Sequence, residues 1–126
     1  MGFQSGGVLL VNEPASVKGW SITDAYTELT TNGPVPIASG TYYIVKAGVL
    51  AMTLRAPTVA ENGTIMRFIS GTANAHTLTA TALINNGTTA GPHNLYTFVA
   101  FPGGGITLEA AGGLWNEVAR VLGVVS

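Results

Sequence analysis

The chain has 126 residues, only 9% of them charged, with five basic and six acidic side chains and a net charge of −1, so it lacks the basic surface that nucleic-acid binding requires. It is 47% hydrophobic, but no apolar run approaches the ~18 residues of a membrane span. It has no cysteine, which excludes disulfides, thiolate chemistry and Cys-based zinc sites.

Residues 1–40 are broken by Gly6-Gly7, Pro14, Gly19, Asn32-Gly33-Pro34 and Pro36. They read as an extended N-terminal arm, ordered by whatever it lies on. Val8, Leu9, Leu10, Val11, Trp20 and Ile22 are its candidate interface residues. The breakers leave them unable to form a hairpin alone, but such a segment can add a strand to a neighbour's sheet edge. WSITDAYTEL (20–29) reads as short strands or one helical turn. The start MGFQSGGVLLV has no basic n-region, and Gly6 breaks a myristoylation motif, so no membrane or secretory address is expected.

From Thr41 to the end, residues 41–126, the pattern is that of a β domain. TYYIVKA (41–47) and VLAMTLR (49–55) are strand-like, and Glu61-Asn62-Gly63 turns the chain into TIMRFIS (64–70). HTLTATA (76–82) alternates strictly, which places Thr77, Thr79 and Thr81 on one face and His76 with the apolar residues on the other. Asn85-Asn86-Gly87 opens a loop, followed by LYTFVAF (95–101), the PGGG turn and ITLEA (106–110). LWNEVARVL (114–122) reads as a strand or a short helix. Strands at this spacing, separated by Gly and Asn turns, predict an all-β fold, a small antiparallel sandwich or barrel. TIMRFIS and LYTFVAF are apolar on both faces, so either they run through the centre of a sandwich or a neighbouring subunit covers them. The sparse charge favours the subunit.

The residues for catalysis are few. Asp24 is the only aspartate, and His76 and His93 are the only histidines. No nucleophile elbow and no helical His spacing accompanies them, so neither a catalytic site, a metal site nor a cofactor is expected. His76 is expected to be structural at the head of its strand, where its loss would cost the ~1–3 kcal/mol of a buried hydrogen bond. His93, in a Gly-Pro-His-Asn loop, reads as solvated. Glu109 and Glu117 fall on neighbouring strands, the arrangement a carboxylate pair needs, but outward-facing glutamates beside a hairpin are the much commoner case and the one expected here. Asn62-Gly63-Thr64 and Asn86-Gly87-Thr88 read as turns. The lone threonine ladder is similar to one row of an ice-binding solenoid, without that family's repeats.

MTLRAPTVAENGTIMRFISGTANAHTLTATA (52–82) and ITLEAAGGLWNEV (106–118) together resemble a module of tailed-bacteriophage virion proteins. Small capsid decoration proteins carry similar strings, as do segments of head and tail fibres. The likeness covers residues 49–118 and consists of turn and strand chemistry. It implies a small β domain working as a homotrimer on the outer face of a virion capsid, in contact with the major capsid protein and assembled in the host cytoplasm. A trimeric fibre or receptor-binding module is the alternative, with loop 85–94 touching a host glycan.

Overall fold

A computed structural model describes residues 25–88 and 91–126 of the chain. The strands in order are β1 (Tyr26–Leu29), β2 (Gly33–Pro34), β3 (Gly40–Ile44), β4 (Ala51–Thr53), β5 (Ile65–Ser70), β6 (Thr77–Asn85), β7 (His93–Thr97), β8 (Gly105–Ala111), β9 (Leu114–Val121) and β10 (Val124–Val125). One short 3-10 turn spans Val59–Glu61. The fold is all-β, as the sequence pattern predicts, and LWNEVARVL is a strand.

The sheet curls into a half-barrel with two lobes. In one lobe β1, β3, β5, β8 and β9 pair in that order, and in the other β2, β4, β6, β7 and β10 do. The chain alternates between lobes from β1 to β6. Each return to a lobe therefore runs in the same direction as the strand before it, and β1–β3, β3–β5, β2–β4 and β4–β6 are parallel. Hairpin partners, by contrast, are antiparallel, as in β8–β9 and β6–β7. The sheet is thus mixed, where the spacing alone suggested antiparallel strands throughout. A crossover through the opposite lobe permits parallel pairing without a helix.

Alternation decides what is buried. Tyr42 and Ile44 of β3, Met66 and Phe68 of β5, and Ile106, Leu108 and Ala110 of β8 line one wall of the core. Leu50, Met52, Leu78, Ala80, Tyr96 and Phe98 line the other. Ring contacts within the core join Tyr42 to Phe68 and Tyr96 to Phe98. Trp115 is fully buried and its Nε1–H donates to the Arg55 carbonyl at 2.9 Å, tying β9 to the segment after β4. On the outer side of β5, Ile65 is exposed and Ile69 is half-buried. The second apolar face of TIMRFIS is therefore not the centre of a sandwich.

The expected boundary at residue 40 falls too late. β1 pairs with β3 and β2 with β4, while Val35 belongs to the core. Gly33-Pro34 does not end the structure, because β2 is an edge strand where proline is tolerated. The candidate interface residues Val8, Leu9, Leu10, Val11, Trp20 and Ile22, and Asp24 with them, lie outside the described residues.

Gly105 fixes the spacing of the first lobe. A Cβ at this position would stand 2.0 Å from the Phe68 carbonyl oxygen on β5, which is backbone and has nowhere to move. Gly105→Ala should therefore destabilise the fold by about 3 kcal/mol or more. Urea unfolding checks this, and an unchanged midpoint would contradict the close approach of β5 and β8.

Candidate interaction surface

His76 stands immediately before β6, with its ring wholly buried. The Leu50 N–H donates to Nδ1 at 2.9 Å. The neutral ring therefore carries its proton on Nε2, 2.7 Å from Thr72 Oγ1, to which it donates. Phe98 meets the ring edge-on at 5.9 Å between centroids. Both nitrogens are committed to holding the 47–50 and 72–76 segments together. Charging the ring would require Nδ1 to give up its acceptor role. Burial, with Lys46 as a smaller cause, lowers the His76 pKa below its ordinary value.

The other polar candidates are not brought together. His93 begins β7 opposite Ile84, with Thr88 Oγ1 at 3.3 Å from its Nε2. Glu109 lies opposite Asn116, and Glu117 lies opposite Leu108 of the core face, so the two glutamates point to opposite sides of the sheet. Contrary to the sequence expectation, Glu117 is not outward-facing. Its side chain is 13% exposed and its Oε2 bonds Arg120 Nε at 3.2 Å, while Oε1 is buried with no hydrogen-bond partner among the described residues. Glu117 and Arg120 both act on Tyr96, whose hydroxyl burial pushes up to about 12. Among the described residues no cluster of His, Cys, Asp or Glu could hold a metal ion. Asn62-Gly63-Thr64 and Asn86-Gly87-Thr88 are turns, with Gly63 and Gly87 at φ of +90° and +80°. The first of these follows the 3-10 turn that Arg55 pins through two 2.8 Å bonds to Glu61.

Two surface features are left. The threonine ladder forms the floor of a cleft of about 700 Å³, where Thr53 lies opposite Thr79 and Thr81 follows, with Pro34, Pro36 and Leu83 around them. The second feature is an apolar end where β9, β10 and the 99–104 turn meet. Phe101, Val121, Leu122 and Val124 are 67%, 57%, 69% and 61% exposed. A Cβ at Gly104 would stand 2.5 Å from Val99 Cγ1, with the carbonyl oxygens of Val121 and Phe101 at 3.5 and 3.7 Å, so the 99–104 turn lies against the end of β9, and Leu122 and Val124 follow directly in the chain. Soluble monomers seldom leave such a group uncovered, and contiguous apolar patches mark interaction sites. Sequence reading missed this end because Phe101, Val121 and Leu122 were absorbed into strands. The signal lay in Val121-Leu122-Gly123-Val124, an apolar run at a glycine turn.

No family model matches the chain, and no curated protein or solved structure is significantly similar to it.

The buried histidine makes stability depend on pH with a definite sign. An unfolded histidine takes its proton near pH 6.5, whereas folded His76 takes it only at lower pH. Between those values the unfolded chain binds more protons, so stability is full above about pH 6.5 and falls as pH drops below it. His76→Gln should flatten that part of a melting-temperature profile. His76→Ala should cost about 3–5 kcal/mol, more than the ~1–3 kcal/mol of a hydrogen bond alone that the sequence suggested, because the wholly buried ring leaves a cavity as well as an unsatisfied Leu50 N–H. Profiles of equal slope for wild type and His76→Gln would remove His76 as the source.

Proposed function

We propose that this chain is a structural protein of a tailed-phage particle. It binds the outer surface of the capsid as a homotrimer, contacts the major capsid protein and stabilises the shell without catalysis, nucleic acid or membrane. The observation that carries this reading is the uncovered apolar end around Phe101 and Leu122 on a chain with only 9% charged residues. A domain of this size with a complete core leaves such a surface open when other copies or another protein cover it. The virion-like strings at 52–82 and 106–118 supply the kind of assembly. They fall on β4 to β6 and on β8 with its hairpin to β9, which are framework of the half-barrel. His76, the most chemically suggestive residue in those strings, spends both ring nitrogens on the fold.

In this reading Val8, Leu9, Leu10, Val11, Trp20 and Ile22 supply the contact with the shell. An added strand gains main-chain hydrogen bonds and fills pockets with alternate side chains. Ordering about ten residues costs on the order of 10 kcal/mol of backbone entropy, so several of these side chains must be buried on binding.

A second reading, a trimeric fibre or receptor-binding module, draws on the threonine-floored cleft of about 700 Å³. Its hydroxyls lie beside proline and leucine, and its one cation among the described residues, Arg55, is paired with Glu61, a lining that suits a sugar ring.

Light scattering and co-sedimentation with empty expanded phage heads separate these readings. The capsid reading expects a particle near three times 12.9 kDa that sediments with heads, and a variant lacking residues 2–12 that remains a trimer but no longer does. A trimer that never binds heads would favour the fibre reading, and a chain still monomeric at about 0.5 mM would remove both.

A further inference from the structure

The half-barrel contains two two-residue connections in which both residues take positive φ, one closing the β8–β9 hairpin and the other carrying the chain from β9 to β10, which pairs with β7. Between β8 and β9 the two connecting residues are Gly112 and Gly113, at φ of +64° and +76°. Between β9 and β10 they are Leu122 and Gly123, at φ of +56° and +77°. Paired left-handed residues are the province of Asn-Gly and Gly-Gly, since any larger side chain meets its own carbonyl there. The hairpin has glycine at both positions, whereas the β9–β10 connection places leucine at a positive φ, which is uncommon for a residue other than Gly, Asn or Asp.

Nothing among the described residues repays the leucine. The turn is held by its backbone, because the buried Tyr96 hydroxyl donates to the Leu122 carbonyl at 3.0 Å. Gly123 is fixed by the same ring, since a Cβ there would stand 2.5 Å from the Tyr96 oxygen. Asparagine or glycine at 122 would keep both features. The leucine side chain itself is 69% exposed and projects into the apolar end formed with Phe101, Val121 and Val124.

We infer that Leu122 is kept at a strained position as the centre of a contact between copies of this chain. Two features single out a second copy as the occupant. The apolar end carries no charge of its own, and the cations beside Val121, Arg67 and Arg120, are both engaged, Arg120 with Glu117, so a partner recognised by charge finds little handle. A net charge of −1 leaves copies free of mutual repulsion. The exposed surface of these four residues amounts to roughly 450–500 Å² per copy, so that covering all of it on two copies approaches the ~1,000 Å² at which a specific interface begins. The inference deepens the assembly reading by naming its surface.

The test uses the full-length chain and two variants, Leu122→Asn and Phe101→Ser, in sedimentation velocity from 1 µM to about 0.5 mM and in melts at the most dilute concentration. Asparagine populates the left-handed region far more readily than leucine. Leu122→Asn should therefore melt a few degrees higher than wild type when dilute, yet associate at least tenfold more weakly. Phe101→Ser should associate more weakly with little change in the dilute melting temperature. If Leu122→Asn melts lower when dilute, the leucine serves the fold and the inference is overturned. If both variants associate like wild type, this surface is wrong although assembly stands. A wild-type chain that remains monomeric at 0.5 mM overturns the surface and the assembly reading together.

Discussion

β6 has three neighbours to satisfy, and the half-barrel depends on how it does so. Along one edge it pairs with β7 at both ends, Thr77 with Thr97 and Ile84 with His93. Along the other edge its first half pairs with β4 and its last two residues pair with β9. No straight strand can do this. The register with β7 shifts between Thr79 and Ile84, where Ala82 takes a φ of +57°. The Ala82 N–H freed by the bend is taken up by Asn94 Oδ1 at 2.8 Å, so the irregularity leaves no orphaned donor. Through this bend one strand closes both lobes over a shared core. His76 locks its leading end by holding the Leu50 N–H and Thr72 on either side.

Much of this was legible in the sequence where a residue's role is local. The alternation of HTLTATA gives the inward set of Leu78 and Ala80 correctly, and the pattern ends where Ala82 bends the chain. Glycine pairs and Asn-Gly dipeptides mark real turns because left-handed backbone is a property of one or two residues. The order of pairing was not legible. Parallel contacts such as Tyr26 with Thr41, or Thr41 with Arg67, depend on which lobe the chain visits between them. Nor could the inward turn of Glu117 be read. It shares the phase of buried Trp115, two residues earlier, but a charged residue in that phase is not expected to turn inward. The extra residue Val118, between the Thr107–Ala119 and Leu108–Glu117 pairs, then sets Arg120 opposite Ile106 on the same side, where it pairs with Glu117.

The residues that sequence offers as chemistry and the surface that structure offers for binding are different sets. His76, Tyr96 and Trp115 are polar groups spent on backbone partners inside the barrel. They give precision to the turn that carries Leu122 and to the seam between lobes. The exposed apolar groups lie at the end of β8 that begins with Gly105, whereas Val59, also exposed, lies near its other end beside Gly63 and Ala110. At about 3.3 Å per residue these ends stand roughly 17 Å apart, far enough for one to be covered and the other left free.

That asymmetry can be measured directly, because a chain without cysteine accepts a single nitroxide label wherever one is introduced. Ala100→Cys places it at the rim of the apolar end and Val59→Cys at the opposite end, both on exposed residues. Electron paramagnetic resonance spectra recorded from micromolar to near-millimolar protein should show the label at 100 becoming immobilised with rising concentration while the label at 59 stays mobile. Immobilisation at 59 with a free label at 100, or free labels at both sites throughout, would contradict the assignment of this end as the place where copies meet.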